Sequence, residues 1–483
     1  VLRFAYTVAP AGLDPHVSAS YIAQETYLFP LYDRLTQITG GPELEPMLAT
    51  GWSFSPDGRE VTFVLRDDVT FHDGSPVTAD AVKASFDRAL HLPESTVKNN
   101  LSMISGIDVV DPRTVRFTAN RPAADLPYVV STSIGSIINP ASLGRSDLDR
   151  RPDGSGPFVA TSVRLGDGVT YERAPDYWDP AATTLAGLEI VGITNDNARL
   201  SALRSGQIDM MLAKVGQHAQ ASSLGPDFAV HSYPAAATYA LQLNTLRPHV
   251  DQVKVRQALN FAVDRVGLDD AILSGQCAPN GQPLPPVFDG RGHLVAPPVT
   301  YSRDVSRAKA LLAEAGLPDG FEMTMLVGAG LSPQDKMAPA VQAQLAEIGV
   351  RVRIEAQDPV QVNSLWNSQS PFDSYMQVRT AGPTAAITLR DNYLVTNRYP
   401  GPTPSGFEAA VNAAFDSALS VEQVDRTLQE ASSIAVDQAM DVFLCALPTQ
   451  VAHSTRVTGV ETIGQADFQG VFDLRYVGIT GAG

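Results

Sequence analysis

The sequence predicts an α/β protein with several mixed sheets, and three stretches carry that prediction. In the first, Phe321, Met323, Met325 and Val327 alternate with Glu322 and Thr324, and Val350, Val352 and Ile354 alternate with Arg351, Arg353 and Glu355. Period-two alternation of this kind marks half-buried strands. Between them a helical pattern runs from about Asp335 to Gly349, and a strand–helix–strand crossover brings its two strands parallel. In the second, DVSRAKALLAEAG, Asp304 reads as an N-cap, Ala308, Leu311, Leu312 and Ala315 share one face, and Gly316 terminates the helix. In the third, NDNARLSALRSGQIDMML, a helix ends at Gly206 and a short strand follows.

Taken in order from the amino terminus, Val61, Phe63 and Leu65 alternate with Thr62 and Val64 as a strand, bracketed by the turn signals Asp57-Gly58 and Asp73-Gly74. Thr78 starts a helix whose Val82, Ser85, Phe86 and Ala89 fall on one face. Residues 113 to 119 and Tyr239 to Asn244 read as further strands, and the Pro- and Gly-rich stretches 275 to 298 and 381 to 405 as long loops. No fixed-period repeat and no low-complexity segment interrupts the pattern.

At 483 residues the chain is longer than one hydrophobic core usually serves, so two or three packed regions are expected. A net charge of −17 argues against nucleic acid as a partner, since phosphate binding needs Lys and Arg to displace counterions. It equally disfavours attraction of the whole molecule to an anionic membrane. No run of 18 apolar residues is present, so no segment reads as a membrane-spanning helix. The opening VLRFAYTVAP lacks the pattern of an export signal, as a cut mature form or a cytoplasmic protein would. Cys277 and Cys445 are the two cysteines; in an exported protein they are candidates for a disulfide, and otherwise two buried thiols.

Catalytic patterns fail one by one. The eight histidines show no paired metal spacing, and His72 beside Asp73 would point to the opposite face of a strand. GSGPF at 154 to 158 lacks the second half of a nucleophile elbow. GAGLSP at 328 to 333 stops short of a dinucleotide fingerprint and lacks the P-loop lysine. The expectation is a protein that is not an enzyme and needs no cofactor and no metal.

The stretch from Trp52 to Val82, extended back to Leu44, resembles the signature of family 5 extracellular solute-binding proteins of ABC transporters, the peptide- and nickel-binding group. The matching residues are Pro46, Leu48-Ala49, Trp52, Asp57-Gly58, Phe63, Leu65-Arg66, Val69, Phe71-His72-Asp73-Gly74, Pro76, Thr78-Ala79 and Val82. Further pieces match in the same order: Leu13-Asp14-Pro15-His16, Gly154 to Phe158, Pro175-Asp176-Tyr177-Trp178, Leu243-Asn244-Thr245, Val255 to Leu259, Asp264-Arg265 and Ala308 to Gly316. The resemblance implies a bilobal, type II periplasmic-binding-protein-like fold of the three-domain subclass. Domain I would comprise 1–43, 153–238 and 446–483, domain II 44–152, and domain III 239–445.

By the same resemblance, the chain would be the receptor of an ABC importer, capturing a small organic ligand between two lobes and delivering it to permease subunits. A peptide or peptide-like compound is the first reading; an anionic opine, carboxylate or metal chelate is the alternative, and a secreted hydrolase the alternative of another class. A monomer outside the cytoplasm is implied, in the periplasm or lipid-anchored at the cell surface.

In peptide-binding relatives, a Trp and, three residues on, an Asp follow a Phe-Asp pair, and that Asp holds the peptide's amino group. Here the pair is Phe372-Asp373, and counting places Arg379 at the Trp position and Gly382 at the Asp position. The amine anchor is therefore missing. Two readings stay open for Arg379. Either its fork faces the ligand and holds an anionic group, so that Arg379→Ala weakens binding by about one to two powers of ten, or a neighbouring carboxylate pairs with it. Thr380, Ala381, Gly382 and Thr384 beside it, and Ser18, Ser20 and Tyr21 after the Leu13 to His16 motif, complete the candidate ligand-binding set. Trp366, at helical spacing from Val362, reads as core.

Overall fold

The computed structural model describes residues 1–17, 21–39, 43–182, 184–330, 333–358, 361–395, 398–463 and 471–481. The chain divides into two compact units, one comprising Val1–Tyr233, Asp416–Ala418 and Thr449–Gly483, the other Pro234–Phe415 and Leu419–Pro448. The expected domains I and II fall together in the first unit. The second runs from 234 to 448 apart from 416–418, a span that overlaps most of the 239–445 expected as domain III.

Two sheets organise the first unit. β1 (Leu2–Tyr6) is followed by α1 (Tyr21–Leu28), and a four-stranded antiparallel sheet comes next. It is built from β2 (Ala49–Phe54), β3 (Glu60–Leu65), β4 (Ile104–Asp111) and β5 (Thr114–Ala119), in the order β2-β3-β5-β4. The predicted alternation holds: Val61, Phe63 and Leu65 are buried, as are Val115, Phe117 and Ala119. Against that face lies α2 (Ala79–His91), whose Phe86 ring stands edge-on to Phe117 at 5.0 Å, while Phe63 meets Phe117 at 5.7 Å. Thr78 caps the helix by accepting from the Ala81 amide at 3.3 Å.

The second sheet of this unit runs through β6 (Phe158–Arg164), β7 (Gly168–Arg173), β8 (Gly187–Gly192) and β9 (Met210–Ala213) in the order β9-β1-β8-β7-β6. β1 is parallel to both β8 and β9, β9 takes residues 450–453 antiparallel on its other side, and β7 pairs antiparallel with β8 and β6. The sheet is mixed, as expected. Phe4, Tyr6, Tyr27 and Phe472 meet at the centre of its core, with Phe4 and Phe472 5.2 Å apart.

In the second unit, the C-terminal half of β10 (Phe228–Leu243) pairs antiparallel with β14 (Ser374–Thr380). Beyond β14 lie β12 (Glu322–Gly328) and β13 (Arg351–Gln357), parallel to each other in the register Glu322↔Arg351 and joined by α3 (Gln334–Ala346). This is the crossover read from the sequence. The Asp304 cap is also present, its carboxylate accepting from the Arg307 amide at 2.8 Å. β11 (Ala278–Pro279) pairs with β15 (Asp441–Ser454), and there Cys277 and Cys445 are disulfide-bonded with Cα atoms 5.4 Å apart.

One stretch departs from expectation. Residues 381 to 405 are not simply a loop, because α4 (Ala385–Tyr393) forms within them. Thr384 caps it, and Ala385, Ala386, Ile387 and Leu389 are buried on it, so apolar burial overrides the surrounding Pro and Gly.

Candidate functional site

The segment nominated in the first unit has a firmly held root. Arg88 of α2 donates two bonds to the Asp14 carboxylate, at 2.6 and 3.0 Å, and a third to Nδ1 of His16 at 2.9 Å. The Tyr32 hydroxyl donates to the Leu13 carbonyl, and the Thr96 amide to that of His16. His16 is thereby an acceptor at Nδ1, and burial drives its pKa down to about 3, so the ring is neutral. Ser18 and Ser20 lie outside the described residues, and Tyr21 is the first residue of α1. Further along α1, Glu25 accepts from the Ser133 amide and hydroxyl at 2.9 and 3.0 Å. Burial nevertheless raises its pKa to about 7, against the lowering pull of those bonds and of Arg34.

The sequence motifs of this unit converge on one carboxylate. Asp33, fully buried, accepts from the Tyr177 hydroxyl at 2.8 Å, the Trp178 indole at 2.9 Å and the Ser155 hydroxyl at 3.2 Å. The Arg475 guanidinium stands 3.5 Å away. His72 joins the same place: its amide donates to the Gly154 carbonyl and its Nε2 lies 2.9 Å from the Gly156 carbonyl. A Cβ on Gly156 would come within 2.4 Å of the Leu31 carbonyl carbon, which accounts for glycine there. His72, Ser155, Gly156, Tyr177 and Trp178 border a cavity of about 160 Å³. Ser155, Tyr177 and Trp178 thus hold Asp33, and His72 ties the start of the Asp73-Gly74 turn to the Gly154 to Gly156 segment. Their polar groups are spent on structure.

In the second unit, β14 and α4 bring Arg379, Thr380, Ala381, Gly382 and Thr384 into one short turn. The Arg379 side chain is 1% exposed, and its Nε and Nη2 donate to the two oxygens of Asp441, each at 2.9 Å. Nη1 donates to the carbonyls of Asn392 and Arg398, and the guanidinium lies 4.8 Å from the Tyr393 ring centroid. Four of the five N–H groups are therefore engaged within this unit. Of the two readings left open for Arg379, this arrangement is the second: Asp441 is the neighbouring carboxylate that pairs with it.

The rest of the turn is equally self-contained. The Ala381 amide donates to Ala236, the Gly382 amide to the Thr388 hydroxyl, and the Thr380 carbonyl accepts from Asn392. The Thr384 hydroxyl accepts from the Ile387 amide as the α4 cap. A Cβ at Gly382 would stand 2.7 Å from Ile387 Cγ2, so a longer side chain there requires Ile387 to move. Asp373 of the Phe-Asp pair accepts from Arg247 at 3.0 Å and from Thr324, binding β12 to β14. Trp366 packs with Leu326, Val362 and Tyr375 in a small core.

A model of the bacterial extracellular solute-binding proteins, family 5, matches residues 43–400. The chain belongs to that family. It is a solute-binding protein of an ABC importer, and its fold is the α/β fold of type II periplasmic binding proteins, mixed sheets flanked by helices. Over 464 residues it is 27% identical to the glutathione-binding protein GsiB of Salmonella typhimurium, covering 92% of this chain and 89% of that one. It is 28% identical over 479 residues to the probable D,D-dipeptide-binding periplasmic protein DdpA of Escherichia coli, covering 93% and 89%. Among solved structures, the periplasmic binding protein AgaA of A. tumefaciens R10, in complex with agropinic acid, superposes with a TM-score of 0.82 at 26% identity, covering 100% of this chain and 99% of that one. Family members are periplasmic binding proteins that work with ABC permeases.

Sequence reasoning did not single out Asp33, Arg88, Glu25 or Asp441. Asp33 and Asp441 lie in locally apolar stretches, Leu31-Tyr32-Asp33 and Asp441-Val442-Phe443-Leu444, and that contrast was the available signal, whereas Glu25, between Gln24 and Thr26, and Arg88, beside Asp87, carry none.

Proposed function

We propose that this solute-binding protein captures a short peptide or peptide-like compound and hands it to the permease of an ABC importer, as a monomer and without covalent chemistry. The observation that carries the reading is similarity along more than nine tenths of the chain to proteins named for glutathione and for a D,D-dipeptide. The chemistry at hand agrees with a binding role. His16, Asp33 and Asp441, the buried titratable groups nearest the family motifs, are each committed to structural partners. We further infer the three-domain division, with 44–152 as domain II, and a ligand contact by Ser18, Ser20, Tyr21 and the backbone around Thr380 to Thr384.

A second reading has its own support. AgaA was solved with agropinic acid, and the Asp that would hold a peptide amine is replaced by Gly382, so an opine or other carboxylate is the competing ligand class. The test is native mass spectrometry of the purified chain, followed by thermal-shift titration with glutathione, D,D- and L,L-dipeptides and agropinic acid. A ligand that binds only the folded state raises the melting temperature, by about 2.7 kcal/mol of added stability at a hundred times its Kd. Stabilisation by a peptide supports the proposal; stabilisation by agropinic acid alone, with every peptide inert, replaces it.

A further inference from the structure

We propose that the cavity of about 160 Å³ beside the Asp73-Gly74 turn binds a small organic cation, a methylated ammonium group. Phe71, His72, Tyr177 and Trp178 line it together with Asp176, and every lining residue belongs to the first unit. The Tyr177 hydroxyl and the Trp178 indole N–H are committed to Asp33, and His72 Nε2 to the Gly156 carbonyl. What the two large side chains can still offer the cavity is ring surface. Their rings stand 5.3 Å apart between centroids and at 45° to each other, so they form a corner and not a flat stack. The face of an aromatic ring is electronegative and attracts a cation placed within about 6 Å of its centre, most strongly for Trp.

Trp178 already takes one cation in this way. The guanidinium carbon of Arg66 lies 3.8 Å from its ring centroid. Arg66 does not line the cavity, so the cavity meets the part of the indole that Arg66 leaves uncovered. Its charge is offset by Asp68, which accepts from Nε at 2.6 Å and from Nη2 at 3.0 Å. Arg475, which donates to the Tyr177 hydroxyl at 3.1 Å, is likewise offset by Asp473 and Asp33. The lining itself holds no Lys or Arg, and its one carboxylate, Asp176, is exposed and has no partner among the described residues. The local charge therefore favours a cation and disfavours an anion.

The kind of cation follows from the same inventory. A primary ammonium brings three N–H donors that need acceptors, whereas a quaternary one brings none, and the hydrogen-bonding groups of Tyr177 and Trp178 are already spent. A cavity of about 150 Å³ admits a benzene ring, so a four-carbon ammonium group fits here. That chemistry is offered both by a free methylated amine and by the headgroup of a choline lipid.

The experiment titrates the full chain by calorimetry with tetramethylammonium chloride. Sodium chloride of equal ionic strength and tert-butanol, a neutral molecule of similar size, are the comparisons. Saturable binding of tetramethylammonium alone is the expected result, weakened about fivefold by Asp176→Asn and about threefold by Trp178→Phe, which keeps a ring but a poorer one. Asp176→Asn carries the test, because that side chain holds no partner in the fold. In parallel, the chain is sedimented with phosphatidylcholine vesicles and with phosphatidylglycerol vesicles. Sedimentation with phosphatidylcholine alone, abolished by Asp176→Asn, assigns the cation to a lipid headgroup and equally supports the site. Binding of tert-butanol as tight as that of tetramethylammonium, binding that Asp176→Asn leaves unchanged, or no binding in either format overturns it. These outcomes do not depend on which solute the importer carries.

Discussion

At the scale of single residues, Arg379 shows how a departure from a family pattern changes meaning once its neighbours are known. Read along the chain, an arginine near a missing acid invites an anionic ligand. In the fold it neutralises Asp441, which also accepts from the Tyr393 hydroxyl at 2.9 Å. Arg379→Ala would leave that carboxylate buried without a countercharge, and we expect a loss of about 3 to 5 kcal/mol in urea denaturation. A variant of unchanged stability with weakened ligand affinity would contradict this. Gly382→Asp restores the family's acid but drives a side chain into Ile387; overpacking of this kind costs about 1 to 3 kcal/mol. Adding Ile387→Ala should recover part of that loss in the same denaturation assay.

Glu25 makes a prediction with a definite sign. Its folded pKa of about 7 lies above the ordinary 4.5, so the folded chain binds the proton more tightly than the unfolded chain does. Stability from this group is therefore largest below pH 4.5 and is lost as pH rises towards 7, at up to about 1.4 kcal/mol per pH unit. Glu25→Gln keeps an oxygen for Ser133 and removes the titration. It should stabilise the protein at pH 8 and leave it little changed at pH 4, when the two chains are compared by denaturation at both values. His16 acts in the other direction. Held neutral down to about pH 3, it removes stability as pH falls below 6.5, and the difference between wild type and Glu25→Gln isolates the carboxyl from it.

At the scale of elements, the parts whose burial alternates locally were legible in advance. The crossover β12–α3–β13, the strand β3 and the helix α2 each have an inward face that repeats along a few residues, and hydrophobic burial follows that repeat. α4 was not legible, because its stretch is rich in turn residues and its apolar positions gain partners only when distant segments, β14 and the helix Phe407–Ala413, lie beside them. The disulfide was visible only as a possibility; pairing of β11 with β15 brings its two cysteines together across 168 residues. Closing so long a loop restricts the unfolded chain, and Cys277→Ser with Cys445→Ser should lower stability by about 2 to 5 kcal/mol. Scanning calorimetry with and without a reductant checks it: the wild type should lose stability on reduction and the double variant should not respond.

At the scale of the whole molecule, the family was written in the sequence, because its signature consists of turns, strand starts and helix starts spaced along the chain. Composition and charge likewise excluded broad classes, since they depend on sums and not on arrangement. The partners of buried charges were decided only by tertiary structure: Asp33 gathers Ser155, Tyr177 and Trp178 from more than 120 residues away, and Asp441 meets Arg379 across 62. A charge is costly to bury alone, so each of these residues is fixed by whatever opposite charge or donor the fold brings to it. Local periodicity carries no information about such meetings. That is why His72 and Arg379, which look chemically available along the chain, are occupied in the folded protein.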